Sequence, residues 1–513
     1  MALTQAQWIA WLRSDDAARC VLVEAEAWDF GTGAVVAHRW SDVGYIDSVA
    51  EAVYLDLLRS SPGMRASLPD IFRGRAATSF GDIELDNLDG LLDGLLSKAW
   101  DRRPVRVYLG DESWQRADFV QIFGGVAVDI SAPDSQRIVI KVRDLAEKLD
   151  KKITSTEISG HAAPVVFGLV ANITPVLVDG GTRKYKVHDG AVAKIRPLSN
   201  GQALDGSNYT ANLSDGTFTV VTNYENLTAH VAEVSGGDNL VTYSVTNPQT
   251  TWGSSFDGYR PSVLARRVLL ERGGFVSGDI NTSAWDLLDA AMSGKSPAGC
   301  FSPGASSAKT SGAMLDDLLT GSGCWYYCGR DGKLTAGVFK AASGSDTKVL
   351  SITDDDVIDA KDGISVDKRI IPYLSVKYGY MKNQTVLNNP QTNDTAMNGW
   401  RWDEILSNGY IPGTATNSSG QDKYLSCGDS DTLVTPYGYP NEAAAVGNSL
   451  ADFYNKVRHI YKIRCGLVGL AVQLGDVVGL DVGRFGLIGG APGLVVGYYD
   501  KLASEEVELK VLV

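Results

Sequence analysis

Residues 441–513 constrain the fold most tightly, because one amphipathic helix there runs straight into a series of short strands. From Glu442 onward, Ala443, Val446, Leu450, Phe453 and Val457 recur at three- and four-residue steps. That spacing puts them on one helix face, closed by basic Arg458. Strands are predicted at 461–468, 477–481, 493–499 and 505–513, separated by Gly475-Asp476, Gly489-Gly490-Ala491-Pro492 and Ala503-Ser504 turn signals. A helix with one face to bury and four strands in need of partners predict a small antiparallel barrel or sandwich carrying one helix.

The same grammar stands near the other end. Strands are predicted at 105–109, 118–130 and 137–143, joined by polar turns at 110–113 and 131–134 and followed by a helix at 144–152. The two ends read as related modules with unrelated sequences, and everything between them as insertions or middle domains.

A chain of 513 residues predicts three or four domains, and its 55 glycines against 17 prolines, many in Asp-Gly and Gly-Gly pairs, predict tight turns. The expected class is mainly β with a small α+β module, several β-barrel or sandwich domains among them. The expected division is 1–158, an N-terminal β-barrel domain with flanking helices; 159–258, an inserted all-β domain; 259–348, a helical α+β domain; and 349–513, a C-terminal β-barrel domain with a long polar loop at 382–440.

In chain order, Thr4 and Gln7 are spaced as a capping box, with Trp8, Ile9 and Leu12 on one helix face. Strands follow at 20–26 and 34–40, and 78–85 leads into an acidic turn and short helix running to Trp100. The carboxylates of that turn lack the closing Glu of a calcium loop and read as caps and turn formers. From Ser159 short strands recur at 164–170, 185–188, 193–197, 209–213, 217–221 and 241–245, up to about Trp252. His188 and His230 sit among them without metal-ligand partners at the right spacing and read as structural. Pro261 opens a helix that ends at Gly273-Gly274, further helices occupy 283–292 and 311–319, and 293–309 reads as a loop. Asp354, Asp355, Asp356, Asp359 and Asp362 read as a solvated turn, and 382–439 as a long polar loop holding Trp400 and Trp402, whose rings read as buried anchors or as stacking surfaces for a sugar or a partner protein.

Composition excludes several functions. A formal net charge of −14 is opposite to what phosphate binding needs. No stretch reaches the roughly 18 apolar residues of a membrane helix. The opening residues lack the features of a secretory signal, which points to a reducing compartment, and six cysteines in so long a chain make no disulfide framework. Cys324 and Cys328 fall on one predicted strand, where residues four apart lie about 13 Å from each other, too far for a disulfide or a shared metal. They read as small buried apolar groups. No Walker loop, His-Glu-x-x-His, Gly-x-Ser-x-Gly or Rossmann glycine fingerprint is present, and His38, His161, His188, His230 and His459 are scattered singly. No residue is nominated as catalytic, cofactor-binding or metal-binding, and no cofactor is expected.

The order of modules resembles the baseplate hub, or tail-tip, proteins of long-tailed bacteriophages and related gene-transfer particles. The resemblance rests on 81–90 followed by 103–110, Phe123-Gly124-Gly125-Val126 before Val142-Arg143-Asp144-Leu145, 313–319 leading to Gly332-Lys333-Leu334, and 376–380 before 474–478 and Arg484-Phe485-Gly486-Leu487. It implies a structural virion protein and no enzyme: a homotrimer on the tail axis whose two tail-tube-like barrels per chain, in 103–143 and 474–513, make a ring of six joining a sixfold tube to a threefold tip. It further implies assembly in the bacterial cytoplasm, neighbours such as the distal tail protein, the tape-measure protein and a central fibre, and DNA passing through without specific binding. Some relatives hold an iron-sulfur cluster through cysteines, and no compact cysteine motif here matches that. Two other readings share the β modules, a carbohydrate-binding or adhesion protein and a glycan-degrading tail-associated enzyme.

Overall fold

The computed structural model describes residues 3–69, 71–233, 260–295, 298–304, 307–359, 362–382, 408–417, 423–424, 427–438 and 440–513. The expected strand at 241–245 and the residues Trp252, Trp400 and Trp402 lie outside them. The protein is mainly β, with its strands in several sheets and a few helices between them.

Helix α1 (Gln5–Leu12) starts as its sequence dictates. Thr4 Oγ1 accepts the Gln7 N–H at 3.3 Å, Gln7 Oε1 accepts the Thr4 N–H at 2.9 Å, and Trp8 and Leu12 are buried.

The N-terminal sheet is built on β1 (Arg19–Asp29) and β2 (Leu58–Ser60). The chain then leaves it for β3 (Met64–Ser67) and returns in β4 (Ile83–Asp86), β5 (Pro104–Asp111), β6 (Val120–Asp134) and β7 (Arg137–Arg143). The spatial order of these strands is β1-β5-β6-β7-β4-β2, extended beyond β1 by strands at Ala34–Ser41, Val53–Asp56 and Tyr45–Ile46. The C-terminal sheet is built from β8 (Leu350–Thr353), β9 (Ile364–Ile370), β10 (Arg458–Cys465), β11 (Val477–Asp481), β12 (Ala491–Lys501) and β13 (Glu506–Leu512). Its order is β8-β11-β12-β13-β10-β9. Numbered along the chain within each set, the six strands follow one order, 1-4-5-6-3-2, in both sheets.

Between them, α2 (Pro261–Arg267) packs on α3 (Thr282–Ala291) and α4 (Ser311–Leu319), and those two helices pack on a hairpin of Cys324–Cys328 and Leu334–Val338. Pro261 stands in the first turn of α2, and Gly274, at φ +70°, follows its end. The last stretch of that helix, Val268–Arg272, is π-helical. The inserted β part has a five-stranded sheet and a four-stranded sheet around a small core of its own that includes Val166, Val187, Ile195, Phe218 and Val231. A single larger core runs from α1 through the N-terminal sheet and the helices to the C-terminal sheet.

Several expectations are corrected. The helix predicted to close at Arg458 is α5 (Pro440–Phe453), and Arg458 opens β10 instead, its Nε donating to the Phe453 carbonyl at 3.1 Å. The stretches 144–152 and 86–100 form only short 3₁₀ turns, Leu145–Asp150 and Asp93–Ser97, too short to use the full helical ladder. The supposed loop 293–309 contains Gly299–Ser302, a strand pairing Phe301 with Val166 and Cys300 with Phe167. The polar 382–440 stretch supplies Ile411–Thr416 and Leu433–Val434, both paired to Ser375–Tyr380. Asp356 is not solvated: it is buried, and Arg13 donates to both of its carboxylate oxygens at 2.7 and 2.8 Å.

Candidate functional site

The nearest thing to a site in this chain is the relation between its two sheets, which matches at the level of single residues. In the N-terminal sheet Val126 opposes Arg143 and Ala127 opposes Val142; the pairing then skips a residue, and Asp129 opposes Lys141 and Ile130 opposes Ile140. In the C-terminal sheet Leu494 opposes Leu512 and Val495 opposes Val511; the pairing skips a residue at the same place, and Gly497 opposes Lys510 and Tyr498 opposes Leu509. The strand before follows suit, with Val105 opposite Gly125 and Val478 opposite Gly493. Even the hydrogen bonds into that strand repeat. Arg102 N–H donates to the Ala127 carbonyl and Ala127 N–H to that of Arg103, at 2.9 and 2.8 Å; Gly475 donates to Val495 and Val495 to Asp476, both at 2.9 Å. A bulge is a conserved device for bending and twisting a sheet, so a shared bulge gives both sheets the same local curvature. The first strands differ: β1 runs antiparallel to β5, whereas β8 runs parallel to β11.

The two sheets are joined by backbone. Strand β3 leaves the N-terminal sheet to pair antiparallel with β12, matching Ser67 to Gly497, Ala66 to Tyr498 and Arg65 to Tyr499, and Leu68 N–H donates to the Val496 carbonyl at 2.8 Å. Gly63 approaches β12 so closely that a Cβ there would lie 2.3 Å from the Asp500 carbonyl oxygen. The hairpin below the helices joins the same junction: Gly74–Arg75 pairs with Trp325 and Tyr326. Arg330 donates from Nε and Nη2 to the two carboxylate oxygens of Asp500 at 2.9 and 2.8 Å.

The sequence nominated no catalytic, cofactor or metal residue. His188 accepts the Val166 N–H at Nδ1 and His230 accepts the Asn172 N–H at Nδ1, each at 2.9 Å, which fits neutral rings held inside the inserted β part. Cys20, Cys300, Cys324, Cys328 and Cys465 are buried, and burial pushes their thiols well above the ordinary range, that of Cys324 to about 12. Among the described residues no three His, Cys, Asp or Glu side chains gather closely enough to hold a metal, so the thiols do not fit an iron-sulfur cluster.

An open cavity of about 700 Å³ lies between α3, the hairpin and the segment 471–476 that precedes β11. Of its polar groups, Asn281 caps α3, Gln473 Oε1 accepts from the Tyr327 hydroxyl at 3.3 Å, and Asp476 accepts the Gln473 N–H at 2.7 Å, while the Thr335 hydroxyl is buried without a hydrogen-bond partner among the described residues.

Sequence reasoning missed β3 and the strand Gly74–Arg75, which make the junction. Both are too short for an alternating pattern to stand out, and Met64, Ala66 and Gly74 signal only burial.

No described helix is long and apolar enough to cross a membrane. No family profile matches the sequence, and no curated protein matches it either. Among solved structures, a tail protein from Neisseria meningitidis MC58 aligns over 96% of this chain and 96% of its own, at 11% identity and a TM-score of 0.37. The 43 kDa tail protein of prophage MuSo2 from Shewanella oneidensis aligns over 96% and 98%, at 9% identity and 0.37. A chain from the virion of a native gene transfer agent particle aligns over 72% and 87%, at 10% identity and 0.36. Likeness at this level assigns no role.

Proposed function

We propose that this chain is a structural component of a phage tail, the hub at the tail tip, in which two barrel-like sheet modules per chain form a ring of six from three copies. The observation that carries the reading is the shared strand order, register and bulge of the two sheets, joined side by side through β3 and β12. A protein that adapts a sixfold tube to a threefold tip needs six similar surfaces from three chains, and an internal pair supplies them. The inserted β part and the helical part, in the divisions 159–258 and 259–348, then hang below the ring and narrow its channel. The excess of acidic residues faces the lumen, where a basic lining would hold DNA back. Distal tail, tape-measure and central fibre proteins are the expected neighbours.

The test is electron microscopy of particles with this chain labelled. Three copies around the tail axis at the tip support the reading, and a single copy, or a position off the axis, refutes it. A glycan-degrading activity of the purified chain on bacterial polysaccharide favours the enzyme reading instead.

A further inference from the structure

The residue-by-residue match of the two sheets exposes one difference: the outer edge of β12 is filled and the corresponding edge of β6 is not. Beyond Val495, β3 covers β12 at Gly497, Tyr498 and Tyr499. Beyond Ala127, the matching residues Asp129, Ile130 and Ser131 pair with β7 on one side, and no described strand pairs with them on the other. From this we infer that the edge of β6 from Val128 to Ser131 is a docking site for a strand from a second copy of this chain, an inference that rests on the hub reading.

Unpaired N–H and C=O groups along a strand edge are a template for another strand, and natural proteins cover or block them. Here Pro133 blocks only the far end, since it has no N–H to offer, and leaves Val128 to Ser131 open. The surroundings are apolar. The connection from β4 to β5, which packs against β6, carries Leu88, Leu91 and Leu96 at 74, 62 and 44% exposure. Its counterpart from β10 to β11 has Leu467, Val468 and Leu470 buried, with α1 packed against it and Gln5 Nε2 donating to the Ala471 carbonyl at 2.9 Å. What is covered on one sheet of this chain is bare on the other.

The filled site also says where the occupant comes from. The strand on β12 is supplied by the connection between the second and third strands of the neighbouring sheet, 61–82. Among its described residues, the corresponding connection in the C-terminal sheet, 371–457, contributes no strand to β6 of its own chain. In a second copy it is the equivalent donor. Such a contact is head to tail, C-terminal sheet of one copy to N-terminal sheet of the next, and repeats until a ring closes.

The experiment compares amide hydrogen exchange of the full chain as a dilute monomer and in its assembled form, with Ile130→Pro alongside. Ile130 corresponds to Tyr498, which β3 covers, and proline removes its N–H from the edge. Exchange of the Ile130 amide, which by its match to Tyr498 faces the open edge, slowed at least tenfold on assembly supports the inference, as does self-association weakened at least tenfold in an Ile130→Pro chain with unchanged unfolding midpoint. Assembly that leaves this amide exchanging at the monomer rate overturns it while sparing the hub reading. A chain that is a single copy in every preparation, assembled particles included, overturns both.

Discussion

Arg330 and Asp500, 170 residues apart, form a two-pronged ion pair whose side chains are 4 and 3% exposed. Arg330 Nη1 also donates to the Leu470 and Val472 carbonyls, its guanidinium lies 4.0 Å from the centre of the Tyr498 ring, and its own carbonyl accepts from Gln121 on β6 at 3.4 Å. One residue thus ties the hairpin below the helices to both sheets, its side chain to the C-terminal sheet and its carbonyl to the N-terminal one. Removing one member of a buried pair leaves the other charged and unsolvated, at a cost of about 3–5 kcal/mol. Asp500→Ala is expected to destabilise the chain by that amount in denaturant unfolding, and Arg330→Met with Asp500→Leu by clearly less than the two single changes added. A loss below about 1 kcal/mol in Asp500→Ala means that the pair does not hold the junction.

Gly63 tests the same junction without touching a charge. A methyl group there meets the Asp500 carbonyl oxygen at 2.3 Å, and neither backbone yields easily because β3 and β12 are hydrogen-bonded beside it. Overpacking of this kind costs about 1–3 kcal/mol. Gly63→Ala is expected to lose that much stability and to speed amide exchange in β3 before it does so in β6 or β7. Uniform acceleration across all strands would show that β3 is not a separate tie.

Burial sorts the six thiols. Cys427 is partly exposed, and the other five are sealed in strands and held in the unreactive protonated form. A thiol reagent at neutral pH is expected to label one cysteine per native chain quickly and six in denaturant. Rapid native labelling of Cys324 or Cys328 would contradict the packing of their strand.

The sequence made β7 legible because it alternates over seven residues, and β11 because a short apolar run stands between turn signals: they lie at 137–143 and 477–481 as expected. It also made the kinship of the ends legible, through similar runs of strand and turn. What it hid was everything held by few residues. β3 has four and Gly74–Arg75 two, and a strand that short is defined by its distant partner. Asp356 looked solvated among its acidic neighbours because its partner, Arg13, stands 343 residues away. Gly299–Ser302 was lost in a run of glycine and serine, although a Cβ on Gly299 would lie 1.9 Å from the Leu169 carbonyl oxygen, so a glycine there allows the close approach of the strands.

The two buried histidines give the inserted β part a pH dependence of known sign. Burial, assisted by Arg272, Lys186 and Arg267 against the opposing pull of Asp189, pushes His188 down to about 4; burial, assisted by Arg196, pushes His230 down to about 3. Both rings accept a backbone N–H at Nδ1, and protonation there replaces the acceptor with a donor. The unfolded chain, with histidines near 6.5, binds protons that the folded chain refuses, so stability rises with pH across this window. The contribution is fully present above about 6.5 and is lost as pH falls toward 4 and 3, on the order of 3 kcal/mol for His188 and roughly 5 for His230. Carboxylates such as Asp189 and Asp215, held below their usual range in the fold, act in the same direction, but only where an unfolded carboxyl begins to protonate, near and below pH 4.5. Between pH 6.5 and 5 the two rings share the slope with His38, which burial also holds below its ordinary range, and are opposed by buried carboxylates such as Asp144 and Asp500, which burial raises. Unfolding midpoints measured as pH falls across that interval are expected to drop less steeply in a His188→Gln, His230→Gln double variant than in the native chain, because an amide oxygen stands in for Nδ1 and carries no titration. An equal slope in both chains would place the proton uptake elsewhere and remove the histidines as its cause.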